Sequence, residues 1–222
     1  MWENIVTATL IWLLALLQLD DRYILQTSCN LPCWNEIIPN GANDIEVKTN
    51  LHKLPIYKMA FIYREFKHQD GSISYAWWDK YIQEASSIKI YNDNVVLITL
   101  QSYLPTTLEG FMSVFGEPDG TRTRQSIDWR TETVTVSLEA FYPKLGLVSV
   151  FVDEIHSIQS IESYVISPTM LADKYYLYSS SNTLLDFAHH LSIVRGSSSD
   201  PKEYIKTITF WEGLNSSVPV YH

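Results

Sequence analysis

Two neighbouring segments decide how this chain is read: Thr106 to Asp119, TTLEGFMSVFGEPD, and Glu132 to Asp153, ETVTVSLEAFYPKLGLVSVFVD. In the first, Leu108, Phe111, Met112 and Phe115 recur at helical spacing and form one apolar stripe. Thr106 with Glu109 three residues on has the spacing of a capping box. Gly116 stands where a helix ends, and Pro118 cannot continue one, so a short helix closes near Phe115. In the second segment Val134, Val136, Leu138, Ala140 and Tyr142 alternate with Thr133, Thr135, Ser137, Glu139 and Phe141, the period of a strand with one buried face. Pro143 to Gly146 is a turn. Val148, Val150 and Val152 then carry the apolar face back along the partner strand of a hairpin. A weaker strand, Arg122 to Arg130, precedes them with Ile127 and Trp129 on one face.

Working outward, Asn43 caps a short helix carrying Ile45, Val47 or Lys48, Leu51 and Leu54, which ends before Pro55. Residues 58–67 and 72–78 alternate around His68-Gln69-Asp70-Gly71, and residues 88–91 and 95–100 around Asn92-Asp93-Asn94, giving two more hairpins. The order helix then antiparallel strands thus occurs twice. The expected architecture is α+β, with two tandem helix-plus-antiparallel-sheet units sharing one core, repeat one over about 29–101 and repeat two over about 102–153. Residues 154–222 form a C-terminal extension: short strands at Val165-Ile166 and Tyr175 to Tyr178, a helix from Thr183 to Val194 and a last strand over Tyr204 to Trp211. The tail from Gly213 is irregular, and residues 29–222 make one domain.

A chain of 222 residues, 46% hydrophobic and 18% charged, is long enough for a sizeable core and too apolar for disorder. Seven Trp and fourteen Tyr suit a sheet-rich fold. A formal net charge of −9 argues against nucleic acid as a partner, because phosphate contacts need a basic surface. Ile5 to Leu19 carries no charge, and Asp20, Asp21 and Arg22 close it. Its length matches a signal-peptide core and falls short of the roughly twenty residues of a bilayer span. No Lys or Arg precedes it, and no small-x-small cleavage site follows. Residues 1–28 are therefore an N-terminal anchor, with a cleaved signal and a buried helix as alternatives, and the location is extracytoplasmic, membrane-anchored or secreted.

Cys29 and Cys33 are the only cysteines. In an oxidising compartment they form a small-loop disulfide; a redox pair, half of a zinc site and lipidation of Cys29 are the competing readings.

Leu31-Pro32-Cys33-Trp34, with Ile38-Pro39 after it, resembles a family of uncharacterised bacterial exported proteins whose mature part opens with Pro-Cys-Trp-x-Gly-Ile-x-Pro-Gly. That family also carries a helix ending in Gly-x-Pro-Asp, as Gly116-Glu117-Pro118-Asp119 does here, and a hairpin like Tyr142 to Gly146. Glu36 and Asn40 stand where its glycines are usual. More remotely, helix, Gly-x-Pro and antiparallel strands are similar to the BamE-type outer-membrane assembly lipoproteins and the beta-lactamase inhibitor protein. That similarity implies an α+β binding scaffold and transfers no catalytic residue.

No constellation reaches a reaction. His189 and His190 point about 100° apart on a helix, so Asp186 can pair with only one of them, and a solvated helix face is the favoured reading. His156 with Asp153 and Glu154 is a charged strand end, and Glu117 with Asp119 a solvent-facing pair after a helix stop. Nucleophile elbows, zincin motifs and phosphate loops are absent from the sequence. Neither a cofactor nor a metal is expected. Trp77, Trp78, Tyr175 and Tyr176 are candidates for an aromatic sugar- or peptide-binding platform, with core packing as the favoured alternative. The expected function is a non-enzymatic protein- or peptide-binding module of the cell envelope that uses a sheet face or edge strand. The alternatives are an exported hydrolase with catalytic groups outside recognisable motifs, and a purely structural envelope role.

Overall fold

The hairpin at the centre of the sequence is also at the centre of the fold, but its two strands do not share a face in the way their valines imply. β6 (Thr133–Tyr142) pairs with β7 (Leu147–His156) in the register Tyr142 opposite Leu147 and Leu138 opposite Phe151. Opposed residues point to the same side of a sheet, so Val134, Val136, Leu138, Ala140 and Tyr142 share their face with Leu147 and Phe151. Val148, Val150 and Val152 lie on the other. Both faces of β7 are apolar because the sheet is covered on both sides here.

The computed structural model describes residues 29–53, 62–78, 86–102, 105–156, 160–194 and 201–221. The N-terminal segment 1–28 and the predicted strand start at 58–61 lie outside them. The class is α+β: a nine-stranded antiparallel sheet with four helices among the described residues. In chain order the elements are α1 (Asp44–Lys53), β1 (Ile62–Lys67), β2 (Ile73–Trp78), β3 (Ser86–Tyr91), β4 (Asn94–Gln101), α2 (Leu108–Phe115), β5 (Gly120–Asp128), β6, β7, β8 (Ser163–Val165), β9 (Leu171–Leu177), α3 (Leu184–Val194), α4 (Pro201–Lys206), β10 (Thr209–Phe210) and β11 (Ser217–Pro219). The strands lie in the order β1-β2-β3-β4-β9-β7-β6-β5-β10, and β8 and β11 form a separate two-stranded ribbon.

Helices α1 and α2 pack on one face. Val47 and Leu51 of α1 and Leu108 and Phe111 of α2 join Tyr75, Ile88, Ile98, Leu138, Phe151 and Tyr175 in the main core. Phe111 is its aromatic hub, with ring centroids 5.5 Å from Phe151, 5.6 Å from Tyr175 and 5.8 Å from Tyr142. On the opposite face α3 and α4 bury Phe187, Ala188, Leu191 and Tyr204 against Phe141, Val148 and Tyr178.

The helix starts follow capping chemistry. Asn43 and Glu46 exchange side chain to backbone hydrogen bonds at 3.0 and 2.9 Å, and Thr183 caps α3 by accepting from the Asp186 N–H at 3.1 Å. The cap of α2 is Thr107, whose Oγ accepts from the Gly110 N–H at 3.1 Å. It is not Thr106, because the Thr106 carbonyl is taken by the N–H of Ala172 and that pairing moves the helix frame on by one. Gly116 ends α2 at φ 81.

Other boundaries differ from expectation. β5 runs from Gly120 to Asp128 and leaves Trp129, 70% exposed, at the hairpin tip. Tyr204 to Trp211 is not one strand: α4 takes its first part, with Tyr204 on the sheet, and only Thr209–Phe210 pairs with β5. The tail from Gly213 contains β11, whose Val218 is buried in the main core.

Two constraints seat the loop at residues 29–42 across the sheet. Gly146 has φ 59, and a Cβ there would run into the Tyr178 carbonyl and come within 2.8 Å of Pro32. Trp34 stacks on Trp77 of β2 with centroids 5.3 Å apart. Because both the left-handed backbone and the close approach exclude a side chain, Gly146→Ala is expected to cost about 2–4 kcal/mol, read as a lower urea midpoint. An unchanged midpoint would contradict this seating of the turn.

Candidate peptide-binding edge

The two ends of the large sheet are built differently. At one end β5 is flanked by the two-residue β10 and further along by Tyr221, whose N–H donates to the Thr123 carbonyl at 3.1 Å and whose carbonyl accepts from Gln125 at 3.2 Å. At the other end β1 is the last strand among the described residues, and its six residues pair with β2 from Ile62 opposite Trp78 to Lys67 opposite Ile73. A terminal strand offers a row of backbone donors and acceptors along its outer side, the geometry to which an extended segment adds.

β1 is held by its support. Tyr63 stacks on Tyr75 of β2, centroids 6.0 Å apart and planes 4° from parallel. The Tyr75 hydroxyl donates to Asp44 of α1, and Lys48 pairs with Asp44 at 2.8 Å while its ammonium lies 5.4 Å from the Tyr75 ring centroid. Burial, then the bond to Asp44, pushes the Tyr75 phenol up to about 12. Burial works to raise the Asp44 carboxyl, but hydrogen bonds from Lys48 and Tyr75 outweigh it and leave it below its ordinary value. This cluster pins α1 to the first hairpin.

The β1–β2 turn has its own clamp. The Asp70 carboxylate accepts from the Ser72 hydroxyl at 2.6 Å and the Ser72 N–H at 2.9 Å, with Lys89 of β3 at 3.5 Å. The Ser72 bonds lower its pKa to about 2. Glu65 and Lys67 are exposed along β1, and Phe66 is 41% exposed on the face away from α1.

The other candidate residues fall elsewhere. Cys29 and Cys33 form a disulfide. Trp77 is buried beneath Trp34, and Tyr175 is buried on Phe111, so neither lies on a surface platform. Both sit on strand positions that face the helices, where aromatic area is spent on the core. Tyr176 is half-buried on the opposite face, 6.3 Å from Tyr178. Trp78 closes β2, and its side chain lies outside the described residues. In the Gly116 to Asp119 motif Pro118 is buried, Glu117 and Asp119 are exposed, and the Asp119 N–H donates to the Phe141 carbonyl at 2.9 Å. Asp186 accepts from Thr183 in the α3 cap at 2.7 Å. Asp153 accepts from the Tyr164 hydroxyl at 2.5 Å, which ties β8 to β7. No group of three metal-ligating side chains converges among the described residues. Nor, among them, is any helix long and apolar enough to cross a membrane.

One buried charge cluster had no sequence signature. Arg122 of β5 lies under Tyr204 of α4, its guanidinium carbon 4.3 Å from the ring centroid, with Glu139 of β6 3.6 Å away. Burial presses the Arg122 pKa down while Glu139 opposes it. Only the register that places residues 122 and 139 side by side brings the pair together. An apolar cleft of about 140 Å³ lies between α3, α4 and β10, lined in part by Leu185 and Phe210.

Comparisons with protein-family models, with curated proteins and with solved structures found no match for this chain.

The depressed pKa of Asp70 sets a pH test. A carboxyl lowered from 3.8 to about 2 on folding contributes stability that is present above its unfolded value and lost as pH falls through its folded one. The difference in urea midpoint between wild type and Asp70→Asn is therefore expected to shrink between about pH 5 and pH 2. A constant difference would mean that the Ser72 bonds do not bias the turn.

Proposed function

We propose that the chain is a non-enzymatic, extracytoplasmic binding module, anchored to a membrane or secreted, that takes an extended segment of a partner protein or peptide along β1. The single observation behind this reading is the asymmetry of the sheet among the described residues: β10 and Tyr221 flank one end, and the six-residue β1 comes last at the other. Main-chain hydrogen bonds to β1 supply affinity, and the alternation of its side chains supplies selectivity. The exposed phenyl ring of Phe66, opposite Ser74, offers an apolar contact on one side of the added strand, and Glu65 and Lys67 offer charge on the other.

Location outside the cytosol follows from the uncharged run Ile5 to Leu19 together with the cysteine pair. The scaffold is two helix-plus-sheet units, α1 with β1–β4 and α2 with β5–β7, matched in element order and sharing one core. Kinship with the bacterial exported family draws support from Glu36 and Asn40, which replace its usual glycines. Their φ values are 67 and 60, the left-handed region that glycine occupies without strain.

The test is a proline scan of Glu65, Phe66 and Lys67 against short extended peptides selected from a random-sequence library. Positions whose N–H points away from β2 should lose about tenfold or more in affinity with little change in melting temperature, because proline removes only an outward donor there. Phe210→Asp, at the opposite end of the sheet, should leave affinity unchanged. If every folded β1 variant binds as wild type does, the edge is not the site.

A further inference from the structure

Residues 29–42 form a strap across the sheet, and three features of it bear on one another. The first is the Cys29–Cys33 disulfide at its start, with Cys29 half-exposed and Cys33 buried. The second is backbone conformation: Asn35, Glu36 and Asn40 all have left-handed φ, at 48, 67 and 60. Asparagine tolerates that region, whereas for glutamate it is strained. The third is what the strap covers. Pro32 abuts the Gly146 turn and Trp34 stacks on Trp77. Trp34 and Ile37 exchange backbone hydrogen bonds at 2.9 Å, and the strap's far end is tied by Asn40 N–H to the Val95 carbonyl at 2.7 Å and by Val95 N–H to the Ala42 carbonyl at 3.0 Å.

We infer that this strap is a redox-sensitive cover: reduction of Cys29–Cys33 releases residues 31–37 and uncovers Trp77, while the sheet beneath stays folded. A dithiol supplies two electrons and two protons, the sulfur–sulfur bond becomes two thiols, and the reductant closes its own disulfide. Oxidised, the short ring holds Pro32 and Cys33 in place, so that the chain enters Trp34 already directed at Trp77. Reduced, the segment regains conformational freedom, and the strain at Glu36 favours departure from the left-handed region. The Val95 bonds keep Asn40 to Ala42 attached and confine the release to the first part of the strap. Trp77 is 5% exposed under Trp34, so an aromatic surface is hidden in one redox state and presented in the other. The cover is independent of the β1 edge, and either can fail without the other.

The test uses the full chain with and without dithiothreitol under native conditions, thiol labelling to confirm reduction, and hydrogen exchange followed residue by residue. On reduction the amides of Trp34 and Ile37 should exchange at least about tenfold faster, and tryptophan emission should shift as the Trp34–Trp77 stack separates. Leu138 and Phe151 should be unchanged. The doubly substituted Glu36→Gly, Asn40→Gly chain, its backbone relaxed, should show a smaller acceleration at the same amides. Complete labelling without faster exchange in the strap would overturn the inference. So would equal acceleration at Leu138 and Phe151, which means global destabilisation, or resistance of the disulfide to native-state reduction.

Discussion

The constraint on which the rest of this structure depends is the double pairing of β9. Leu171–Leu177 hydrogen-bonds β4 on one side, with Tyr175 opposite Leu100, and β7 on the other, with Tyr175 opposite Ser149. Without it the chain would hold two meanders, β1–β4 and β5–β7, each with an open edge where the other now begins. An edge exposes unpaired backbone groups, and β9 removes two of them at once. Its insertion is not smooth. The register shifts between Val150 and Phe151, and the carbonyl of the extra residue, Asp173, is satisfied by the Ser102 N–H at 2.8 Å and the Gln101 amide at 2.7 Å. A bulge whose backbone groups are paired in this way is part of the design of the sheet.

Once β9 is in place, the packing of the two faces follows. Phe111 reaches rings from three different strands, Tyr142, Phe151 and Tyr175, which is possible only because β9, β7 and β6 are neighbours. On the reverse face the smaller cluster under α3 and α4 takes in Phe141 of β6 and Val148 of β7, with Tyr176 of β9 and Leu97 of β4 packed against it. Its rim is polar, with Arg122 and Glu139 buried beneath Tyr204. The apolar part of this layer contributes the stabilisation. The charge pair offsets its own desolvation at best, so its role is to fix where α4 lands.

How much of this was legible in the sequence depended on the range of the interaction involved. Local signals served well: Asn43 as a cap, Gly116 as a stop, Asn92-Asp93 as a tight turn, and the alternation in β6. Each is decided within a few residues by hydrogen bonding or steric hindrance. Signals that depend on a partner strand did not. Val148, Val150 and Val152 look like the continuation of the β6 face, and only the pairing of Tyr142 with Leu147 assigns them to the other side. The central position of β9 has no local signature, since Leu171–Leu177 differs little from an edge strand in composition. The same gap affects the site. Trp77 and Tyr175 were visible as aromatic candidates, but whether an aromatic faces a helix or solvent is settled by register and covering layer. The last place of β1 among the described strands is a property of strand order.

Among the described residues the sheet is flanked by β10 and Tyr221 at one end, ends with β1 at the other and is stitched in the middle by a late strand. The most direct measurement of that arrangement is a set of backbone nuclear Overhauser effects along β9. Tyr175 is expected to show contacts to both Leu100 and Ser149 in the same molecule. Direct contacts between β4 and β7, with Tyr175 linked to neither, would contradict that arrangement.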